Sequence, residues 1–132
     1  EQEAPQASAD GKIDMSNDKF TIHYKQHRVT TDFAGAPCLL VYYDYSNNGS
    51  SASSAMVDVN LQAYQNGNLL EPAIPESDDE AIDQFMTEVQ PGQAVTVCQA
   101  FTLQDESDVT LQAGEAFSFG GGTVVSQVLK IK

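Results

Sequence analysis

Hydrophobic and polar residues alternate along most of the chain in the manner of β-strands. In Lys19–Lys25 the apolar residues Phe20, Ile22 and Tyr24 are separated by Thr21, His23 and Lys25. That alternation predicts a half-buried strand. Cys38–Ser46 is apolar on both parities, with Leu39, Val41, Tyr43 and Tyr45 on one face and Cys38, Leu40 and Tyr42 on the other. This predicts a central strand covered on both sides. Met56–Gln65 alternates again, with Val57, Val59, Leu61 and Ala63 opposite Asp58, Asn60 and Gln62. Gln93–Leu103 predicts a further strand in which only Gln99 interrupts the parity of Val95, Val97, Phe101 and Leu103. Val109–Leu111, ended by Ala113-Gly114, and Val124–Ile131, preceded by a flexible Gly120–Gly122 loop, complete the set.

The punctuation between these runs is equally local. Asn47-Asn48-Gly49-Ser50 and the following Ser-rich stretch form a loop. Asn66-Gly67 between two strand-like runs predicts a type I′ hairpin turn, because both central residues take positive φ. Pro72 and Pro75 interrupt any ladder, since proline has no N–H to give. Residues 77–88 are the one predicted helix: Ser77 caps it, Glu80 completes a capping box, and Ile82, Phe85 and Met86 make a short apolar stripe. The fold class is therefore all-β, an antiparallel sandwich of about seven or eight strands with one short helix. At 132 residues the chain suits one domain. Residues 19–132 are expected to form it. Residues 1–18 are expected to be a polar tail or tether, most clearly over EQEAPQASAD.

Charge changes this picture. The net charge is −13, and fourteen of the nineteen acidic residues lie between Val29 and Leu129, a stretch without Lys or Arg. The basic residues are Lys12, Lys19, Lys25, Arg28, Lys130 and Lys132. Such a chain lacks the basic footprint of a nucleic-acid binder. No run reaches the ~20 apolar residues of a membrane span. The first residue is Glu1 rather than Met, as expected where the sequence has been trimmed or a leader removed. Few Lys and Arg, many Ser, Asn, Gln and Gly, and two cysteines suit an exported protein. Lys19, His23, Lys25 and His27 share the outward parity of the first strand, and Lys130 and Lys132 share a parity on the last. If those strands occupy one sheet, the six residues form a basic strip, a candidate interaction surface.

Other residues with chemical potential give weaker patterns. Cys38 and Cys98 both point away from the inferred core, so a disulfide between neighbouring strands of one sheet is the first expectation, worth ~3–4 kcal/mol. Two reduced thiols and, more remotely, a metal site stay open. His23 and His27 lie roughly 13 Å apart along a strand, without a metal-binding motif. Ser16–Lys19 has the S-x-x-K spacing of some acyl-transfer enzymes but no distal partner motif. Asp78, Asp79, Glu80 and Asp83, or Asp105, Glu106 and Asp108, supply oxygens for calcium without the EF-hand pattern. Tyr42, Tyr43, Tyr45 and Tyr64 are candidates for an aromatic recognition surface. Asn48-Gly49-Ser50 is a formal glycosylation sequon. No cofactor is implied.

The string Leu40–Asn48, LVYYDYSNN, followed by Val59–Gly67, VNLQAYQNG, then Val89–Gln93 and Ala100–Asp105, resembles a bacterial family of secreted proteins and lipoproteins of unknown function. The resemblance spans residues 19 to 131. It implies an immunoglobulin-like domain akin to small secreted immunogenic antigens of Gram-positive bacteria. It also implies an extracytoplasmic location, often behind a lipid-modified N-terminal cysteine, and no catalytic residues. The expected function is a non-enzymatic binding module at a bacterial surface, with a protein, glycan or wall polymer as ligand. The alternatives are a calcium-stabilised surface domain and a small hydrolase.

Overall fold

The computed structural model describes residues 13–76, 79–115 and 124–131. The described elements are β1 (Met15–Ser16), β2 (Phe20–Thr31), β3 (Pro37–Asn47), α1 (Ala55–Asp58), β4 (Val59–Gln65), β5 (Asn68–Leu69), α2 (Glu80–Gln84), β6 (Ala94–Thr102), β7 (Val109–Glu115) and β8 (Val124–Leu129). They form two antiparallel sheets, β1-β2-β3-β6 and β5-β4-β7-β8. The protein is an all-β sandwich with two short helices.

The inner faces are those that the alternation predicted. Phe20 and Ile22 of β2, Leu39, Val41, Tyr43 and Tyr45 of β3, Val97 and Phe101 of β6, Leu61 and Ala63 of β4, and Leu111 and Ala113 of β7 join one core. Each Val, Leu, Ile and Phe side chain among them contributes roughly 1.5–3 kcal/mol relative to exposure. Gln99, the break in the β6 parity, accepts a 2.6 Å hydrogen bond from the fully buried Tyr43 hydroxyl. A buried hydroxyl needs such a partner. β3 lies between β2 and β6, and its other face makes a second small cluster of Leu40, Tyr42 and Cys98 packed by Ala81 and Ile82 of α2.

The structure departs from expectation in four places. Ile13 and Met15 are buried, and β1 pairs with β2, so residues 13–18 belong to the folded domain rather than to a tail. The apolar Ile13 and Met15 override the polar composition around them, and Gln127 of β8 accepts the Ile13 backbone N–H at 3.1 Å. Residues 1–12 lie outside the described residues. Second, Ser54 caps a single helical turn, Ala55–Asp58, so β4 starts at Val59 rather than Met56. Third, β7 continues through Ala113-Gly114, because β4 and β8 pair with it on both sides. Tertiary pairing outweighs the weak strand preference of glycine there. Fourth, α2 spans only Glu80–Gln84, with Asp79 as its cap. The expected cap Ser77 and the loop Gly120–Gly122 lie outside the described residues. Within the expected stripe, Ile82 and Phe85 pack inward while Met86 stays exposed.

Candidate binding cleft

The outer face of the β2-β3-β6 sheet is shaped by one irregularity. The β2–β3 register shifts between Tyr24 and Gln26, which is a β-bulge at Lys25. Before it, Ile22 and Tyr24 sit opposite Tyr45 and Tyr43, on the core side. After it, Gln26 pairs with Tyr42 and Arg28 with Leu40, on the outer side. Strict alternation would put Lys25 and Arg28 on opposite faces, but the bulge brings both to the same cleft. Bulges commonly re-aim side chains in this way.

The cleft, about 630 Å³ and open to solvent, lies between this face and α2. Tyr42 is its hub. Its hydroxyl donates to Asp79 Oδ2 at 2.5 Å and accepts from Arg28 Nε at 3.1 Å. Asp79 Oδ1 also accepts from the Ala81 N–H at 3.0 Å, capping α2. The Tyr42 hydrogen bond, followed by the Ala81 N–H and the nearby Arg28 charge, holds the Asp79 carboxyl below the usual range. Burial, reinforced by donation to Asp79, pushes Tyr42 up to about 12. The hydrogen bond to Tyr42 raises the Arg28 guanidinium further above its already high value. Beside this network, Thr96 donates to Asp44 at 2.6 Å, and Lys25 Nζ lies 3.8 Å from the same carboxylate. Ala81 of α2 gives the cleft an apolar patch, whereas Val95, at its edge, pairs with Tyr45 and packs toward the core.

The predicted site residues are dispersed. β2 and β8 belong to different sheets, so the premise of a basic strip is not met. His23 faces Asp14 at 3.6 Å, and Lys130 faces Asp108 at 3.8 Å. Beyond the bulge His27 turns to the core side, where its Nε2 donates to the Lys130 carbonyl at 3.2 Å and its Nδ1 meets the Tyr24 hydroxyl at 2.5 Å. Lys19 is exposed, and Lys132 lies outside the described residues. Of the strip, only Lys25 lines the cleft.

Cys38 and Cys98 are free, correcting the expected disulfide. They do lie on neighbouring strands, but Cys38 pairs with Thr102 and Cys98 with Tyr42. The offset of four residues is roughly 13 Å along the strand, beyond the reach of a disulfide. Burial pushes the Cys98 thiol up to about 12.

Asp79 is spent on Tyr42 and Ala81, and among the described residues no three His, Cys, Asp or Glu gather to hold a metal ion. Asp78 lies outside that set. Tyr43 and Tyr45 are buried in the core, Tyr42 organises the cleft and Tyr64 is on the other sheet, so the four tyrosines form no common surface. Ser16 shares a 2.7 Å hydrogen bond with Thr21. The Asn48 amide of the sequon donates to Asn17 O and Thr21 Oγ1. Among the described residues no helix is long and apolar enough to cross a membrane.

The motifs that carry the family resemblance are used in folding. Asn47 donates to Val89 O and Ser51 O, its backbone N–H donates to Gln93 O, and its carbonyl accepts from Gly92 N. Gln65, 1% exposed, donates to Asp105 O and Ser107 O and accepts from Gln104 N at 2.7 Å. These bonds pin one loop at each end of the sandwich, and none of these residues lines the cleft.

A two-sheet β-sandwich with a helix-capped polar cleft is thus the class the structure defines. The chain belongs to the family described as a domain of unknown function (DUF5067), whose model matches residues 1–115. No curated protein matches it. Among solved structures it is similar to a "putative lipoprotein" from Staphylococcus aureus subsp. aureus NCTC 8325, with TM-score 0.72 and 11% identity over 97% of this chain and 92% of that one. It is also similar to a "putative lipoprotein" (ycdA) from Bacillus subtilis subsp. subtilis str. 168, with TM-score 0.66 and 15% identity. That match covers 91% of this chain but 39% of the Bacillus chain, so the protein corresponds to well under half of that relative.

Proposed function

We propose that the protein is a non-enzymatic, extracytoplasmic binding domain of a bacterial surface or secreted protein, with an immunoglobulin-like strand order. The order supports the last point: β2-β3-β6 and β5-β4-β7-β8 correspond to strands A-B-E and C′-C-F-G of such a sandwich. The location is supported by the two lipoprotein-described structures of the same fold. The observation that carries binding rather than catalysis is the state of the groups at the cleft. Burial holds Tyr42 at the cleft, and the buried Cys98 clustered with it, up near 12, so both stay protonated, whereas a nucleophile needs a lowered pKa or an adjacent base. The polar network fixes side chains in place, which suits recognition.

Cosedimentation with purified Gram-positive cell wall tests this reading. Wild-type protein is expected to be retained, Lys25→Met retained less, and the wall left chemically unchanged. Time-dependent release of wall fragments would instead establish a hydrolase. Equal retention of both proteins would remove the cleft from the binding surface.

A further inference from the structure

Charge and hydrogen-bond supply in the cleft are arranged unusually. Two carboxylates at and beside it are satisfied by neutral donors: Asp79 in the cleft by the Tyr42 hydroxyl and the Ala81 N–H, and the neighbouring Asp44 by the Thr96 hydroxyl. Its cations are not so satisfied. Lys25 Nζ stands 3.8 Å from Asp44 and Arg28 Nη2 stands 3.7 Å from Asp79, both beyond hydrogen-bond length. Arg28 Nε is fixed by Tyr42, which orients the guanidinium and leaves its Nη donors for something else. Both cationic side chains are about half exposed, at 51% and 45%.

A simple anion nevertheless fits poorly. Asp79 and Glu80 line the cleft with the two cations and balance them, Asp44 adds a further carboxylate beside it, 3.8 Å from Lys25, and the whole chain carries −13. Glu80 lies on the α2 wall of the cleft and is exposed, and it accepts a 3.4 Å hydrogen bond from the Gln84 amide. The cleft therefore offers cationic donors on the sheet side and, on the helix side, a carboxylate that no cation among the described residues pairs with. We infer that it takes a zwitterionic ligand, a short peptide whose carboxylate meets Lys25 and Arg28 and whose ammonium meets Glu80. An apolar side chain of the ligand would rest on Ala81. Charge-assisted hydrogen bonds of this kind carry orientation as well as affinity. The inference rests on the reading of this cleft as a binding site and names its ligand class.

The test is titration of the isotope-labelled protein with alanyl-alanine, N-acetyl-alanyl-alanine, alanyl-alanine amide and sodium acetate, followed by amide chemical shifts at Lys25–Arg28 and Glu80–Gln84. The free dipeptide is expected to shift both segments, and blocking either end to weaken binding about tenfold, a charge-assisted contact of ~1.4 kcal/mol. In Glu80→Gln the penalty for N-acetylation should vanish, and in Lys25→Met the penalty for amidation should shrink. Equal binding of all three peptides, or binding of acetate as tight as that of the dipeptide, would overturn the inference. So would the absence of any shift at about 10 mM dipeptide. If wall fragments shift these same amides while dipeptides do not, the peptide assignment falls and the binding reading stands.

Discussion

The hydroxyl of Tyr42 donates a 2.5 Å hydrogen bond to Asp79, joining the central strand β3 to the cap of α2. The same hydroxyl accepts from Arg28 on β2. One side chain thus ties three elements together at the cleft. Tyr42→Phe keeps the ring and removes only this junction. It should lower stability by about 1.5–3 kcal/mol, the range for hydrogen bonds to charged groups. Urea denaturation measures the loss, and faster hydrogen exchange at Ala81–Gln84 would localise it to α2. An unchanged urea midpoint would show that Arg28 and the Ala81 N–H suffice to hold Asp79.

The Tyr42 hydrogen bond is also the main reason the Asp79 carboxyl titrates low. A group whose folded pKa is depressed stabilises the fold above its unfolded pKa, near 3.9, and that stabilisation is lost as pH falls through the folded value. Asp79→Asn should therefore be less stable than wild type at pH 7, and the gap should narrow as pH falls below about 4. Thermal melts of the two proteins across this range are the check. A gap that stays constant would mean the Asp79 charge contributes nothing to folding.

Much of the sandwich was legible because period-two alternation reports burial directly, as in Phe20, Ile22, Leu61 and Ala63. The double-faced apolar run at Leu39–Tyr43 correctly marked β3 as central. The cleft was not legible. A bulge leaves no mark in a pattern of alternation, so the shared face of Lys25 and Arg28 was invisible, and the expected basic strip followed a parity that the chain abandons at Tyr24. The strand-to-strand offset that separates Cys38 from Cys98 was likewise hidden, because parity gives the face but not the register.

That offset makes a direct prediction about the thiols. Unfolded, unreduced protein should release both cysteines to a thiol reagent at once. In the native protein Cys98, buried and raised to about 12, should react far more slowly at pH 8 than an exposed thiol with a pKa near 8.5. Failure of either thiol to appear after unfolding would restore a disulfide and contradict the β3–β6 register.

Gln65 provides a sharper test of which motif residues maintain the fold. Its amide is buried and makes three hydrogen bonds to the Gln104–Ser107 loop, two as donor and one as acceptor. Gln65→Leu, nearly the same size, leaves the carbonyls of Asp105 and Ser107 and the Gln104 N–H without that partner. A loss of about 2–4 kcal/mol is expected, since each stranded buried group costs ~1–3 kcal/mol and the loop can recover part through water.

The Asn66-Gly67 turn tests backbone conformation with almost no side-chain contribution. Asn66 has φ 52° and Gly67 φ 81°, the two positive values a type I′ turn requires. A Cβ added at Gly67 would meet nothing within 4 Å, so crowding does not oppose Gly67→Ala. The cost should come from the left-handed backbone alone, about 1–2 kcal/mol. Asn66→Gly should cost less, because glycine adopts that region freely while losing only the 3.0 Å bond from Asn66 Nδ2 to the exposed Asp105 carboxylate. Urea midpoints ranked wild type, Asn66→Gly, Gly67→Ala would confirm that the turn acts through φ. The reverse ranking of the two variants would show that the Asn66–Asp105 contact, not the backbone, holds this hairpin against the β6–β7 loop.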